Sequence, residues 1–324
     1  MQGTLRIFAL LLAMLSPAAM AQDGAWPTQT VRLIAPSGPG GNPDVMARLL
    51  ADKLTGKFGT PFIVENVPGA GGIVAAKMVA RARPDGHVLM FGDSGSLAIN
   101  PAINPNLGYD PVKDFAPVTA LVALPTIMSA NINVPAETLD EFIALAKKEP
   151  GKLSYGSAGA GSIHHLTMEI FAERTGIELL HVPYRGGSAM VHGLLTGEIA
   201  VGWSGIPNVM ELIGAGKLRG YCVSVLARSP STPAIPTCDE LGQRGFDVAT
   251  VLGLQAPAGT PPQIIGRLQT EVAAIMREPA MAARMQQLGM VMEENGTATY
   301  VAFMRRDLER YADVVKKLHL QEAK

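Results

Sequence analysis

The sequence runs to 324 residues, which suits two domains at roughly 150 residues each. Its 48% hydrophobic and 17% charged content is that of a globular chain and argues against disorder. With 27 basic and 28 acidic residues, a formal charge of −1 and no Lys/Arg block, no nucleic-acid partner is expected; two cysteines cannot build a disulfide scaffold or a four-thiolate zinc site.

Residues 1–21 read as a cleaved secretory signal. Arg6 supplies the positive start, an apolar run over 7–15 follows, and Ala19-Met20-Ala21 gives small residues at a cleavage site. The run is too short to cross a bilayer core of ~30 Å, and no later stretch reaches about 18 uninterrupted apolar residues. The mature chain, from about Gln22, is therefore expected to be soluble and periplasmic. Outside the cytoplasm a disulfide between Cys222 and Cys238 is open. Cys222 lies in an apolar strand-like stretch and Cys238 before a short helical pattern over 239–243, and the pair reads first as two small buried hydrophobes.

From residue 31 onward strand-like and helix-like segments alternate. Residues 31–35 form a β-rich run, 36–41 a Gly/Pro loop, and Val45, Met46, Leu49, Leu50 and Leu54 mark a helix. Strands are expected at 62–65 and 88–91 around a helix at 73–82. A second unit follows Leu124-Pro125, with strands at 126–128, 153–157, 179–182, 199–203 and 220–226. Its helices fall at 139–147, 163–175 and 189–195. Helical patterns dominate from Pro262 onward. This rhythm predicts α/β architecture with mostly parallel sheets flanked by helices.

One motif recurs in both units: strand, Gly-rich loop, helix. The first loop is Pro36-Ser37-Gly38-Pro39-Gly40-Gly41, with Asn42 as helix cap and Pro43 at the first helical position. The second is Ala158-Gly159-Ala160-Gly161, with Ser162 as cap. The first amides of a helix lack internal partners and carry the positive end of the macrodipole. Glycines let a ligand approach them, so each junction suits a carboxylate or phosphate. Facing each other across a cleft, two such ends would hold an organic anion. Neither loop fits the G-x-x-x-x-G-K-[ST] or G-x-G-x-x-G nucleotide patterns.

Other polar residues are open to two readings. Asp44 is either a first-turn acid favoured by the helix dipole or a cleft carboxylate aimed at a ligand. Arg185 is either a solvated loop residue or a partner for a ligand carboxylate. Gly92-Asp93-Ser94-Gly95 resembles a protease nucleophile segment, but His87 is the only earlier histidine and the βαβ setting is wrong for that chemistry. Ser94 and Ser96 are instead expected to face the cleft from a strand end. His165 and Glu169 lie one turn apart opposite the Ile163, Leu166, Ile170 stripe and read as a solvated face; no H-E-x-x-H spacing exists, and no metal is expected. His164, nearer the apolar edge, is placed to reach a cleft ligand. His181 reads as ordinary packing or surface.

Taken together, the chain resembles the Bug-type (TctC-like) solute-binding receptors of tripartite tricarboxylate transporters. The resemblance covers essentially the whole mature chain. It rests on the order and spacing of Pro36 to Asp44, Glu65-Asn66-Val67-Pro68-Gly69-Ala70-Gly71-Gly72, Pro84-Asp85-Gly86, Ala98-Ile99-Asn100-Pro101, Tyr109-Asp110-Pro111-Val112-Lys113-Asp114-Phe115, Ser157 to Ser162, His181-Val182-Pro183-Tyr184-Arg185-Gly186-Gly187 and Ala258-Gly259-Thr260-Pro261. It implies a two-domain periplasmic binding protein (type II-like) whose two Gly loops grip a small carboxylate, partly through water, for delivery to a membrane permease. One domain would comprise 22–124 plus 250–324 and the other 125–249, with crossovers near Leu124 and Thr250.

Three departures from the family pattern fall near the expected cleft. His164 stands where Ser or Thr is frequent, Ser37 where Phe is common, and Ser204-Gly205 where an acid followed by Asn often precedes the proline matching Pro207. Loss of an acid at Ser204 would favour a more anionic or bulkier ligand, and His164 would add a donor. The expected binding set is Ser37, Gly38, Gly40, Gly41, Asp44, Ser94, Ser157, Ala158, Gly159, Gly161, Ser162, His164, Arg185 and Ser204, in a monomer without cofactor or catalytic activity. Alternatives are a periplasmic sensing partner of a membrane receptor and a secreted hydrolase using Ser94.

Overall fold

A computed structural model describes residues 26–104, 106–228, 230–293 and 296–321. The expected leader lies outside them. The first half of the chain runs β1 (Val31–Ala35), α1 (Asn42–Phe58), β2 (Phe62–Asn66), a 3-10 turn (Ala70–Gly72), α2 (Ile73–Ala80), β3 (Val88–Asp93), a π-helical turn (Gly95–Ile99), α3 (Asn100–Ile103) and β4 (Phe115–Leu124). There follow β5 (Thr126–Asn131), α4 (Leu139–Lys148), β6 (Ser154–Ser157), α5 (Ile163–Thr175), β7 (Leu180–Pro183), α6 (Gly187–Thr196), β8 (Val201–Gly205), α7 (Ile206–Gly214) and β9 (Leu218–Val223). The chain ends with β10 (Thr250–Pro257), α8 (Pro262–Met276), α9 (Pro279–Gln287), β11 (Val291–Met292) and α10 (Thr297–Lys317).

The strands make two sheets. One is six-stranded in the order β11-β4-β10-β3-β1-β2; the other is five-stranded in the order β7-β6-β8-β5-β9. In the first, β1 pairs parallel with β2 and β3. In the second, β6 pairs parallel with β7 and β8. Helical crossovers impose this direction, because parallel neighbours need a long connection that packs back onto the sheet.

The α/β class is therefore as expected, with one feature that local periodicity does not carry. Each sheet contains a strand, entered directly after a crossing between the sheets, that runs antiparallel to its neighbours. β4 passes through Pro125 into β5, which enters the second sheet antiparallel to β8 and β9. β10 returns and enters the first sheet antiparallel to β3 and β4. The inserted strands read as apolar runs because both faces are covered: every residue of β5 is buried, as are those of β10 after Thr250.

Each sheet carries its own core. Leu33, Leu50, Phe91, Leu254 and Val272 lie in the first, and Tyr155, Phe171, Trp203 and Phe246 in the second. A further cluster joins the halves: Leu166 of α5 packs with Ala98, Ile99 and Tyr311, and Ile103 and Ile163 lie against it. Ion pairs Arg306–Asp247 (2.8 Å) and Lys317–Glu173 (2.5 Å) tie α10 to the second half. Among the described residues no helix is long and apolar enough to cross a membrane.

The two cysteines are joined, which corrects the reading of them as separate buried hydrophobes. Cys222 and Cys238 form a disulfide with a Cα separation of 5.1 Å. The cause is tertiary. After β9 the chain turns back beside its own last residue, Val223 donating to Pro236 O (2.9 Å) and Cys238 donating to Val223 O (3.0 Å). The pattern at 239–243 is a turn, not a helix.

Candidate functional site

The parallel strands of each sheet end in a set of loops. Those of the first sheet release the segments 36–41, 67–72 and 94–99; those of the second release 158–162, 184–186 and the β8–α7 junction. In parallel sheets ligands bind beyond such carboxyl ends.

The loop after β1 is held by Asp44. Its carboxylate accepts the Gly40 N–H (2.8 Å) and the Asn66 side-chain amide (2.8 Å), and pairs with Arg48 (2.9 Å). The same Asn66 amide donates to Ser37 O (3.0 Å), so β2 fixes the loop after β1. Burial pushes the Asp44 carboxyl up, but Arg48, Gly40 and Asn66 outweigh it and hold it below the usual carboxylate range. With Asp44 only 2% exposed, both oxygens are spent inside the protein. Asp44 is the first-turn acid of α1, one of its two sequence readings, and it also shapes the loop through both of its oxygens. Gly41, not Asn42, caps α1; Asn42 and Pro43 are its first residues.

Two glycines here are required by geometry. Gly40 has φ +83°, and a Cβ on Gly41 would lie 2.7 Å from Ser37 Oγ. No side chain caps the first turn of α1, so the Asn42 and Asp44 amides keep the orphan status of helix-start donors. Gly38 has open space around it. Ser37 Oγ is buried and has no hydrogen-bond partner among the described residues.

The loop after β6 is built on serine and two imidazoles. Ser157 Oγ accepts the Gly159 N–H (3.1 Å), donates to Gly159 O (3.0 Å) and meets His181 Nε2 at 2.7 Å. Gly161 N–H donates to His165 Nδ1 (3.1 Å). Ser162 caps α5, its Oγ accepting the His165 N–H (3.4 Å). The Ile163 and His164 amides are left as the open donors of that turn. Ala158 and Gly159 are half-buried.

His165 does not lie on a solvated face. It is 5% exposed and stacks on His181 with ring centroids 4.0 Å apart, while Tyr155 stacks on His181 at 4.8 Å. His164 Nδ1 is buried without a partner among the described residues, and burial lowers its pKa to about 4. At neutral pH it is an uncharged ring that offers a hydrogen bond and no positive charge.

Ser204 and Arg185 border this second loop. Register pairs Gly156 with Gly202, which carries the end of β8 alongside the start of the loop. Ser204 is 1% exposed and its Oγ has no partner among the described residues. Tyr184 N–H donates to Ser157 O (3.0 Å), and Tyr184 O would be 3.7 Å from a Cβ on Gly159, so Arg185 follows directly on the loop. Arg185 is exposed and joins no ion pair among the described residues.

Ser94 departs from its expected place. Its hydroxyl donates to Asp307 (2.7 Å) and accepts the Val251 N–H (3.1 Å) beneath α10. A cavity of about 10 Å³ lies beside it, lined by Asp93, Val251, Tyr300 and Asp307, room for one water. Ser94 joins β3, β10 and α10; the hydroxyl is committed and does not face the loops. Ser96 likewise bonds back to Asp93 (2.8 Å).

The loops of the two halves meet around residues 94–103. A Cβ on Gly72 would lie 3.2 Å from Pro36 Cβ and 3.0 Å from Ser96 Cβ. Asn100 donates to Gly71 O (2.8 Å), and a Cβ on Gly161 would lie 2.7 Å from Ile103. Asn66, Gly72, Asn100, His165 and His181 were not singled out by sequence reasoning as site residues. The available signal was the Glu65 to Gly72 stretch, a second Gly-rich segment at a strand end.

Comparison with known proteins places this architecture. Residues 46–320 match the model of the tripartite tricarboxylate transporter family receptor (TctC). The chain belongs to that receptor family. Among solved structures it is similar to Rpa4515 of R. palustris with adipate, at 31% identity and TM-score 0.77 over 90% of this chain and 97% of that one. It is similar to the periplasmic binding protein BugD at 31% identity and TM-score 0.74, over 92% of this chain and 100% of that one. It is also similar to MatC from Rhodopseudomonas palustris with bound malate, at 31% and 0.73 over 89% and 99%. The resemblance read from the motifs is thus the family itself, and the two-sheet α/β fold is the fold of these receptors.

Proposed function

We propose that the chain is a periplasmic solute-binding receptor that closes on a small organic carboxylate. The observation that carries the reading is the recurrence, in both halves, of open helix-start amides (Asn42 and Asp44 of α1, Ile163 and His164 of α5) beside buried hydrogen-bonding atoms without partners among the described residues. These atoms are Ser37 Oγ at the first loop, and His164 Nδ1 and Ser204 Oγ at the second. Buried polar atoms are nearly always paired, so groups left open at a loop cluster suit a ligand's oxygens or the waters around them. Receptors of similar fold hold adipate and malate.

Binding would use dipoles more than charge. Asp44 and Arg48 neutralise each other in the first turns of α1, His164 is uncharged, and Arg185 is an exposed cation next to the second loop. A site without an acid at Ser204 tolerates a second carboxylate, and we assign a dianionic or bulkier acid to it. The lobes would be 22–124 plus 250–324 and 125–249, moving about the strands that change sheets, with the ligand shifting an open–closed equilibrium. The closed receptor, a monomer, would deliver its acid to the membrane permease components of a tripartite transporter after export by the leader at 1–21.

A thermal-shift screen of the protein from Gln22 against mono-, di- and aromatic carboxylates tests this. A ligand at about 100 times its Kd adds about 2.7 kcal/mol of apparent stability. A dicarboxylate is expected to give the largest shift, and a panel without any shift contradicts the proposal.

A further inference from the structure

Beneath the second Gly-rich loop lies a stack of three rings that solute binding leaves unexplained. Tyr155 (β6), His181 (β7) and His165 (α5) lie nearly parallel, the two imidazoles 9° apart in plane. Each imidazole supports one glycine of the loop. His181 reaches Gly159 through Ser157 Oγ; His165 accepts the Gly161 N–H directly.

The second bond fixes a protonation state. An N–H donates only to a bare ring nitrogen, so Nδ1 of His165 carries no proton and the ring's hydrogen sits on Nε2. A further proton can enter only at Nδ1, where it meets the Gly161 N–H head on. The bond would become a donor–donor clash on a glycine set so close to Ile103 that a Cβ there would lie 2.7 Å from it.

From this geometry we infer that His165 is a positioning residue for the carboxylate clasp: its neutral ring holds Gly161 in the binding arrangement, and protonation at Nδ1 releases the loop on acidification. The ligand half of this statement rests on the carboxylate reading above; the latch itself does not.

The groups around the ring bear on when this happens. His181 stacks on it from β7, and two stacked imidazolium rings repel, so the pair holds at most one proton readily. Tyr155 faces it from β6 at 6.3 Å and stays neutral. Glu169, on α5 itself, places Oε1 4.0 Å from His165 Nε2 and is, among the described residues, the anionic neighbour that favours the cation. Burial dominates and moves the His165 pKa down. The latch is therefore shut at neutral pH and opens in the acidic range.

The test uses deuterated, ¹⁵N-labelled protein beginning at Gln22, without ligand. The Gly161 amide shift and hydrogen-exchange protection are followed from pH 7.5 downward beside the His165 ring nitrogens. The Gly161 signal should move with the midpoint of the His165 ring, and its protection factor should fall. His165→Asn keeps an acceptor near the Nδ1 position that does not titrate, so Gly161 should stay protected with no pH step. His165→Phe, provided the fold is retained, should leave Gly161 unprotected at every pH. A Gly161 amide indifferent to the His165 titration, a ring that stays neutral until the protein unfolds, or the same Gly161 step in His165→Asn would each overturn the inference.

A second arm titrates adipate and malate calorimetrically at pH 7.5 and 5. Wild type should lose about tenfold more affinity on acidification than His165→Asn, the equivalent of one hydrogen bond, while the acids' own protonation is common to both. Equal losses in the two proteins would contradict the ligand half. Absence of heat with either acid would count against the carboxylate reading and leave the latch to stand or fall on the amide data.

Discussion

Thr126 and Ser224 bind each other three times, one of the bonds running from Thr126 Oγ1 to Ser224 Oγ at 3.1 Å. Thr126 N–H donates to Ser224 Oγ at 3.0 Å, and Ser224 N–H donates to Thr126 O at 3.0 Å. Thr126 opens β5 just after the chain leaves the first sheet; Ser224 follows β9 as the chain begins its return. Val248 then donates to Ser224 O (2.7 Å), and Leu124 pairs with Thr250. Both crossings between the two sheets therefore run side by side as one hydrogen-bonded ribbon.

Ser224→Ala should loosen this ribbon. It leaves the buried Thr126 N–H without its acceptor, at a cost of about 1–3 kcal/mol. Thermal denaturation should register a drop of several degrees. An unchanged midpoint would mean the pair contributes nothing to the crossing.

Gly41→Ala should weaken carboxylate binding because its Cβ would collide with Ser37 Oγ and Cβ, at 2.7 and 2.8 Å. Ser37→Gly removes both atoms, so the double variant Ser37→Gly/Gly41→Ala should bind better than Gly41→Ala alone. Calorimetry on the three proteins checks this non-additivity, and simple additivity would refute the clash.

Replacing both cysteines by serine should destabilise the fold by roughly 3 kcal/mol, the loop-closure value for a bridge of about 15 residues. The bridge spans 16 positions at the start of the returning strand. Urea unfolding of Cys222→Ser/Cys238→Ser against wild type measures it; unchanged stability would show that the backbone bonds around Val223 suffice without the bridge.

Acid should destabilise the protein through buried histidines. Burial lowers His164 and His181 to about 4, against 6.5 when free. Between these values the unfolded chain binds more protons than the folded one, so this contribution is complete above about pH 6.5 and is lost as pH falls toward 4. Asp93 and Asp307, raised by burial, act in the opposite sense and moderate the slope. Melting temperature should fall by several degrees from pH 7 to 4.5, and fall less in His164→Asn/His181→Asn. An equal slope in the variant would remove these rings from the account.

Much of the fold could be read from local pattern. β1 into α1 and β6 into α5 follow from alternation, glycine and caps within a dozen or so residues. Gly40, Gly41, Gly159 and Gly161 could be recognised for the same reason. What could not be read depends on partners distant in sequence. β10 is inserted beside β3, far from it along the chain. Asp44 is used up by Asn66 on the next strand, and Ser94 by Asp307 on the last helix. His165 looked solvated because a helical projection of α5 shows its own stripe and not His181 arriving from β7. The disulfide was hidden by the turn that brings Cys238 back to β9.

The central claim is that two Gly-rich loops, one from each half, hold one carboxylate. A crystal structure of the protein grown with the acid that gives the largest thermal shift tests it most directly. The account predicts carboxylate oxygens, or waters bonded to them, within about 3 Å of the amides of 38–44 and of 158–164, with Ser37, His164 or Ser204 completing the contacts. An acid bound by only one of these loops, or elsewhere on the protein, would contradict it.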